Sequence, residues 1–455
     1  MYPSTYSLGS DYDLAASIPY QNNSITLSPS SPVLTLDFGT EVAGFPFFEV
    51  TALSGPTQLE VKYAEQFVAL ANPNSDGPWT FILGLSNSFR VESFDITDVG
   101  YTKSFFIQGG QRWETVRLLT NTTLTLGSVG QRSSSAHVPT QDIPGKFSTS
   151  DGIYNKIWDL GARVVQVACV DAGNAVSMWQ VTPDGVLLRG QQTSQYVKGA
   201  GFGNYTLSFS TKILRGGTGW RVASGIFPYG ASFVLTSDYP SDSTFVDTNR
   251  PLVPANTLVF NYGWSIVNQT TLATGWDQYF PVSTPVEEDR WYNMSTTITS
   301  SGYNVTLDGA PIAFVPIAEA LLLEPSYFGS GSATDGTFGF GPWQDQTAYV
   351  KDVTVVAANE SLLYSNSMTS EDVLAEYSQA DLEASVCMDG AKRDRLIWTG
   401  DFYHTSKIIP ASTLRNDYLL GTIRYVFEWQ DTQGPYAGFI AIVSLTFPVE
   451  GGVGS

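Results

Sequence analysis

The sequence has very few of the residues from which metal sites and disulfide frameworks are built. Its 455 residues include two cysteines, Cys169 and Cys387, and two histidines, His137 and His404. Two cysteines do not define a disulfide scaffold, and no Cys/His cluster has the spacing of a zinc site. No glycine-rich stretch stands in the strand–turn–helix context of a nucleotide site. We therefore predict no metal and no cofactor.

Basic residues are also scarce. The chain has 23 Lys and Arg against 43 Asp and Glu, which gives a formal net charge of −20, and only 15% of its residues are charged. Proteins bind nucleic acids and anionic membranes through clusters of Lys and Arg. This composition therefore argues against both kinds of partner.

Long hydrophobic runs are absent. No apolar stretch approaches the about 20 residues of a membrane span, and Met1–Tyr6 lacks the basic and apolar regions of a signal peptide. Glycosylation sequons nevertheless favour secretion. They begin at Asn22, Asn121, Asn204, Asn268, Asn293, Asn304 and Asn359. We expect an extracellular protein whose leader lies upstream of this sequence.

The residues that are abundant indicate a folded chain. Hydrophobic residues make up 42% of the sequence and aromatic residues 13%, which predicts packed cores rather than disorder. The length favours about three domains. An acidic chain rich in Trp and Tyr also suits a protein that handles carbohydrate.

Residues 1 to about 140 read as all β. Val33–Phe38 is a predicted strand, and residues 58–63 alternate between polar and apolar as in a half-buried strand. Two further strands, Ser104–Ile107 and Thr115–Leu119, flank a predicted turn at Gly109–Gly110. Short strands with frequent turns favour a β-sandwich.

A helix is predicted after this region. Ser150 and Asp151 are good N-caps, and an apolar stripe follows them at steps of four and three, which predicts about 17 helical residues ending near Cys169. The stripe consists of Ile153, Ile157, Leu160, Val164 and Val167. We expect it to need a partner in addition to the β domain.

The chain returns to β between Asp171 and Val386. Tyr205–Ile213 alternates cleanly, and Asp308–Gly309 is a strong hairpin turn. Thr337–Trp343 and Ala348–Val356 complete a second set of sandwich-like strands.

Five tryptophans of this region, Trp220, Trp264, Trp276, Trp291 and Trp343, could stack on sugars if they are exposed. Large aromatic residues are usually well buried, so the alternative is that most of them belong to the core.

A helix is predicted at the start of the C-terminal part of the chain. Leu414–Glu428 presents an apolar face at Leu414, Tyr418, Thr422 and Tyr425. Two helices cannot form a domain that buries both of their faces. We expect that the sequence is cut off where a helical domain begins.

One stretch, Asp389–Asp401, is unusually dense in charge. It packs three carboxylates, three basic residues and Trp398 into 13 positions and has no regular period, which predicts a loop leading into a helix. Loops that combine charge with an aromatic side chain often carry chemistry. The alternative is a solvated surface loop with local ion pairs.

The spacing of this stretch resembles a known family. Asp389, Arg393-Asp394 and Trp398-Thr-Gly-Asp401 resemble the signature of glycoside hydrolase family 78, the α-L-rhamnosidases, with fungal members looking most similar. The stretches that support the resemblance are Leu36–Gly39 through Tyr63–Glu65, Phe105–Thr120, Phe147–Trp158 and Gly400–His404. In the family, the first catalytic helix runs almost directly into the signature, whereas here the second β region separates them.

The resemblance implies a mainly β chain of two β-sandwich domains plus the first helices of an incomplete (α/α)6 barrel. It assigns residues 1–145 to an N-terminal β-sandwich and 146–170 to the first catalytic helix. Residues 171–386 would be an inserted concanavalin-like, laminin-G-type sandwich, and 387–455 the truncated start of the barrel.

An inserted domain requires its two ends to be close. Cys169 and Cys387 stand at those two ends. We expect the two cysteines to be neighbours, and to be joined in a disulfide if the protein is secreted. The alternative is a pair of separate buried thiols.

The resemblance also implies a chemistry, the inverting hydrolysis of a terminal α-L-rhamnosyl bond in a glycoside or polysaccharide. Its acid position falls on Asp394, where the family usually has Glu, so that the carboxyl here is one methylene shorter. Asp389, Arg393 and Asp401 match positions that bind rhamnose hydroxyls and shape the site, and Trp398 matches a wall against the sugar. Inversion needs a second carboxylate about 6.5–9.5 Å away as general base.

No residue of this sequence matches the family's general base, so we expect this polypeptide to be inactive. The apolar stretch after Gln433 also departs from the family pattern. Two functions of other classes compete with the hydrolase. One is a non-catalytic carbohydrate-binding protein built from two β-sandwiches, and the other is an adhesion module whose insert binds protein through an exposed apolar patch.

Overall fold

A computed structural model describes most of the chain. It covers residues 1–13, 16–72, 75–77, 90–189, 193–199, 202–224, 231–239, 253–260, 278–319, 334–341, 346–392, 397–428 and 443–444. These residues form two compact units, one from those within 1–176 and 381–445 and the other from those within 177–380. Each unit is described by itself.

The fold is mainly β, and its sheets are antiparallel. The strands of the first half of the chain are β1 Thr5–Gly9, β2 Ile18–Pro19, β3 Ile25–Leu27, β4 Val33–Leu53, β5 Thr57–Ala64, β6 Val91–Ile96, β7 Gly100–Lys103, β8 Gln108–Leu118, β9 Leu124–Ser133, β10 Cys169–Val170, β11 Gln180–Thr182, β12 Gly185–Leu188, β13 Ser194–Gln195, β14 Tyr205–Arg215 and β15 Gly217–Ser224. The later strands are β16 Ala231–Thr236, β17 Thr257–Phe260, β18 Gln278–Pro281, β19 Trp291–Thr299, β20 Gly302–Leu307, β21 Ala310–Pro316, β22 Thr337–Phe340, β23 Thr347–Ala357, β24 Leu362–Asn366, β25 Val386–Cys387, β26 Ile397–Trp398 and β27 Val443–Ser444.

The helices are fewer. They are α1 Gly152–Val167, α2 Asp372–Glu376, α3 Phe402–Thr413 and α4 Asn416–Glu428, with short 3₁₀ turns at Phe67–Ala71 and Ile317–Glu319. Among the described residues, no helix combines the length and the apolar character needed to cross a membrane.

The first unit contains a β-sandwich built around the 21-residue strand β4. The first half of β4 pairs with β1 and β8, and its second half pairs with β7 and β9. One strand therefore contributes to both layers, as strands that switch sheets do in other sandwiches. Its core side chains, such as Leu36, Phe48, Val61, Val116 and Val129, are almost completely buried.

The glycine pair predicted as a turn lies within a strand instead. Strand β8 runs from Gln108 to Leu118 through Gly109 and Gly110, and Gly110 has a positive φ of 59°. A local glycine pair reads as a turn, but glycine also serves where another backbone approaches closely. The second use applies here, and the approaching segment is described below.

The helix predicted after Asp151 is present. It begins at Gly152, and the side chain of Asp151 accepts a hydrogen bond from the backbone N–H of Ile153 at 2.8 Å. Its apolar stripe is largely uncovered, because Ile157 and Leu160 are more than half exposed and only Val167 of the stripe is buried. The expected covering of the stripe is therefore not found within the described residues.

The C-terminal helical prediction was partly wrong. Helix α3 directly follows Asp389–Asp401, as the prediction of a loop leading into a helix expects, but Leu414 lies between α3 and α4 in the left-handed conformation with φ 59°. Leu414 is consequently exposed rather than part of the buried face. Tyr418, Thr422 and Tyr425 form the buried face of α4 as predicted.

The second unit is a sandwich of two sheets. One sheet has the order β11-β12-β23-β14-β19-β20-β21, with β24 added at β23, and the other has the order β13-β22-β15-β16-β17-β18. One hydrophobic core draws side chains from both sheets, including Trp220, Phe233, Val305 and Phe340. The predicted hairpin at Asp308–Gly309 joins β20 to β21 with positive φ at both residues.

Candidate functional site

The charged stretch is described on both sides of a short gap. Residues 389–392 and 397–401 are described, whereas Arg393 and Asp394 lie outside the described residues. The assignment of Asp394 as general acid therefore stays a prediction. The described parts show how the stretch is attached to the first unit.

The stretch begins at a pair of strands joined by a disulfide. Cys169 of β10 and Cys387 of β25 face each other in antiparallel register and form a disulfide, with their Cα atoms 4.0 Å apart. The backbone N–H of Cys387 donates to Thr422 Oγ1 of α4 at 3.0 Å. The next residue, Met388, donates to the carbonyl of Ala168 at 3.0 Å. The start of the stretch is thus tied to the C-terminal end of α1 and to the middle of α4.

Lys392 then anchors the stretch to the β-sandwich. Its Nζ lies 3.0 Å from Glu65 Oε2 and 3.0 Å from Asp76 Oδ2, and the lysine side chain is nearly buried. Asp76 also accepts a hydrogen bond from the backbone N–H of Glu65 at 2.7 Å. Charge-assisted hydrogen bonds of this kind are stronger than neutral ones. A residue inside the predicted signature is therefore held by carboxylates more than 300 positions earlier in the chain.

A fully buried arginine completes this ionic cluster. Arg90 Nε donates to Asp76 Oδ1 at 2.9 Å, and its other nitrogens donate to Gln108 Oε1 at 3.0 Å and to the carbonyls of Gly109 and Gly110 at 2.9 and 3.3 Å. A buried charge is tolerated when it is paired and hydrogen-bonded in this way. Arg90 thereby joins the bulged part of β8 to the carboxylate that holds Lys392.

The glycines of β8 allow the stretch to approach. A Cβ atom placed on Gly109 would lie 1.7 Å from the carbonyl oxygen of Ala391, and one on Gly110 would lie 2.9 Å from Cβ of Lys392. Neither position leaves room for a side chain. This contact explains why the two glycines occur within a strand.

The pKa values of two carboxyl groups in this region, Asp76 and Glu41, are shifted in opposite directions. Burial alone raises the pKa of Asp76, but Arg90 and Lys392 outweigh it and lower the pKa below its ordinary value. Burial followed by the nearby Glu65 raises the pKa of Glu41. Asp76 therefore keeps its negative charge, which pairs with Lys392, to lower pH than a free aspartate, whereas Glu41 takes up a proton more readily than a free glutamate.

The other predicted binding residues lie at accessible positions. Asp389 and Asp401 are exposed, and Trp398 is half-buried. Trp398 belongs to β26, which pairs with β27 through Ile397↔Ser444 and Trp398↔Val443. Asp401 occupies the N-cap position of α3 without a hydrogen bond from its side chain to the helix. Its carboxylate stands at the positive end of the helix dipole.

Two buried glutamates, Glu92 and Glu114, lie inside the same sandwich and were not identified from the sequence. Glu92 accepts hydrogen bonds from Ser104 Oγ at 2.5 Å and Gln108 Nε2 at 2.7 Å, and Glu114 accepts one from Gln131 Nε2 at 2.8 Å. Burial raises the pKa of Glu92 to about 7 and that of Glu114 to about 8. The only local signal was a glutamate close to apolar inward-facing residues in each of two strands, β6 and β8.

The glycosylation sequons are mostly accessible. Of those in the described part of the chain, only Asn204 is half-buried, and the others, Asn22, Asn121, Asn293, Asn304 and Asn359, are exposed. Asn268 lies outside it, as do Trp264, Trp276 and Trp343. Trp220 is completely buried, as the core alternative expects, whereas Trp291 is partly exposed.

The described ranges contain no candidate metal site. They contain no group of three or more His, Cys, Asp or Glu residues placed to hold a metal ion.

Comparisons with known proteins give distant matches only. No family model matches the chain, and no curated protein matches it. Among solved structures, a rhamnosidase from Klebsiella oxytoca with rhamnose bound matches at 16% identity, over 40% of this chain and 38% of that one, with a TM-score of 0.28. Carbohydrate-binding module CBM66 from Bacillus subtilis matches at 14% identity, over 39% of this chain and 91% of the module, with a TM-score of 0.26.

A third match is a glycosyl hydrolase-like protein from Parabacteroides distasonis. It is 13% identical over 40% of this chain and 90% of that chain, with a TM-score of 0.27. At these identities and TM-scores, the matches assign no function to this chain.

Proposed function

We propose that this chain belongs to a secreted glycoside hydrolase of family 78 that releases terminal α-L-rhamnose from glycosides or polysaccharides. The observation that carries the proposal is the signature stretch itself, Asp389–Asp401. Its ordered attachment to the sandwich through Lys392 supports the proposal, because catalytic groups must be held on rigid elements.

The proposed chemistry assigns a role to each residue of the stretch. Asp394 protonates the leaving oxygen, while a general base carried elsewhere in the protein activates water on the opposite face of the sugar. Asp389, Arg393 and Asp401 bind the rhamnose hydroxyls, and Trp398 packs against the ring. The accessible positions of Asp389, Trp398 and Asp401 are compatible with contact to a sugar.

The binding part of the proposal is tested with the chain as it stands. Titration with L-rhamnose by calorimetry is expected to detect binding, and Asp389→Asn and Trp398→Ala are each expected to weaken it at least about tenfold, since one charge-assisted hydrogen bond or a stacked ring contributes a factor of this size. Asp98→Asn, which changes an exposed carboxylate in a turn after β6, is the matched control. Wild-type affinity in both site variants would refute the assignment of the site.

The catalytic part is tested with a chromogenic α-L-rhamnoside. We expect no turnover by this polypeptide, in which no residue matches the family's general base, and hydrolysis with inversion by a protein that carries this stretch together with that base. In such a protein, Asp394→Asn should lower kcat/KM by about 10²–10⁴-fold, as loss of a general acid does. Glycan binding without hydrolysis there, unaffected by Asp394→Ala, would instead support the non-catalytic carbohydrate-binding protein.

A further inference from the structure

The outer face of the larger sheet in the second unit carries a row of aromatic and basic side chains. Tyr349 of β23, Lys212 of β14 and Trp291 of β19 lie directly opposite one another on adjacent strands. Their side chains are partly exposed, whereas the alternate residues of β14, such as Phe209 and Ile213, point into the core. The row is therefore accessible and is not needed to fill the sandwich.

Two lysines lie against the two rings. Lys212 Nζ is 5.1 Å from the ring centroid of Tyr349 and 5.5 Å from that of Trp291, and Lys351 Nζ is 4.3 Å from that of Trp291. The Trp291 and Tyr349 centroids are 6.3 Å apart. Arg189 follows the neighbouring strand β12 and donates to Gln180 at 3.0 Å. Two lysine cations thus lie against two aromatic rings.

This cluster is unusual in so acidic a chain. Carboxylates outnumber Lys and Arg by 43 to 23, yet neither Lys212 nor Lys351 forms an ion pair with any carboxylate in the described part of the protein. Cation–π contacts at partly exposed sites are weak. The lysines can therefore exchange a ring contact for an anionic partner with little loss.

The rest of the face can form hydrogen bonds. The rows beside the cluster carry Ser210 and Asn293, which are hydrogen-bonded at 3.0 Å, and then Ser295 and Thr306, which are 2.8 Å apart. Each of these hydroxyl and amide groups keeps further donor or acceptor capacity after its internal bond. A flat surface with an aromatic ring, cations and hydroxyl groups matches the chemistry of a sugar chain that carries carboxylates.

We propose that this face binds an acidic glycan, with a uronate ring stacked on Trp291 and its carboxylate paired with Lys212 or Lys351. Aromatic rings supply the apolar contact to the sugar face, and each lysine supplies a charge-assisted hydrogen bond to the carboxylate. The site lies entirely within the second unit, and it does not depend on the rhamnoside chemistry proposed for the first. The sequon at Asn293 lies on the same face, so a glycan attached there would cover the site.

The test uses unglycosylated full-length chain from a bacterial host and an oligogalacturonate of about six sugars as the probe. Calorimetry or affinity electrophoresis is expected to show binding that weakens as salt rises, since paired charges are screened. Trp291→Ala and the double change Lys212→Met with Lys351→Met should each lower affinity at least tenfold, and Lys212→Arg should retain it. Thr297→Ala, three rows away on the same face, is the control.

The results of this test distinguish the acidic-glycan site from the proposed rhamnose site of the first unit. Absence of binding, equal binding of a neutral oligosaccharide of the same size, or wild-type affinity in the Trp291 and lysine variants would overturn the proposal. Unchanged far-ultraviolet circular dichroism and thermal midpoint would show that the variants are folded, which is expected because the altered side chains lie outside the core. Asp389→Asn should leave the binding of the oligogalacturonate unchanged. A failure of the acidic-glycan proposal can therefore be distinguished from a failure of the rhamnose-site proposal.

Discussion

The two buried glutamates of the first sandwich make its stability depend on pH. Glu92 and Glu114 have pKa values of about 7 and about 8 in the folded protein, against an ordinary value of 4.5. Between pH 4.5 and these values, the folded state holds protons that the unfolded state has released. The contribution of these two groups to the free energy of unfolding is therefore fully present below pH 4.5 and is lost as pH rises through 7 and 8.

The size of the effect follows from these values. Between pH 5 and pH 7, each glutamate is expected to remove about 2 kcal/mol from the free energy of unfolding of this unit. Glu114→Gln keeps an oxygen that can accept the hydrogen bond from Gln131 but no longer titrates. It should therefore remove about half of the pH dependence, and Glu92→Gln the other half.

The measurement must report on this unit alone. Hydrogen exchange of peptides from β5 and β8, corrected for the intrinsic pH dependence of exchange, gives their opening free energies at pH 5 and pH 7. Glu49→Gln, an exposed position of β4, is the control and should keep the wild-type slope. Opening free energies that are flat or rise between pH 5 and pH 7, or an unchanged slope in Glu114→Gln, would refute the reasoning.

Further predictions concern the attachment of the signature stretch. Lys392→Met leaves Glu65 without its cation and Asp76 paired with Arg90 alone. It should cost about 2 kcal/mol, seen as faster hydrogen exchange at residues 386–392, whereas Lys392→Arg should recover much of it; wild-type exchange in the Met variant would contradict the anchor. Gly109→Ala should lower the thermal midpoint because its Cβ would meet the carbonyl oxygen of Ala391. The control Gly161→Ala, in open space on α1, should stabilise the protein by about 0.5–1 kcal/mol. Equal effects of the two substitutions would rule out the close approach of Ala391 to β8. Reduction or Cys169→Ser with Cys387→Ser should cost about 2–5 kcal/mol, measured by urea unfolding, and no change in the midpoint would count against the disulfide.

The sequence was informative where the decisive interactions are local. The alternation of Tyr205–Ile213 predicted β14, the Asp308–Gly309 pair predicted a hairpin, and Asp151 with its following stripe predicted α1; all three are confirmed. Each depends on neighbours within a few positions, so the signal is contained in a short window of sequence.

The predictions from sequence were wrong or incomplete where contacts with residues distant in the chain determine the local structure. Gly109–Gly110 was predicted as a turn because a glycine pair is ambiguous until the segment that packs on it is known. Leu414 was placed within a helix, although the chain turns there with a left-handed residue that no local rule demands of leucine. The stripe of α1 was correctly found, but only the structure shows that Ile157 and Leu160 are exposed.

The sequence by itself determined the mainly β class, the strands and helix with clear periods, and the existence of a charged stretch at Asp389–Asp401. Only the tertiary structure decided that Lys392 of this stretch is held by Asp76, 316 positions away, and that Trp291 shares a face with Lys212 and Lys351. The physical reason is the same in both cases. Ion pairs and shared sheet faces are set by which strands become neighbours, and this pairing depends on the packing of the whole sandwich rather than on any short segment.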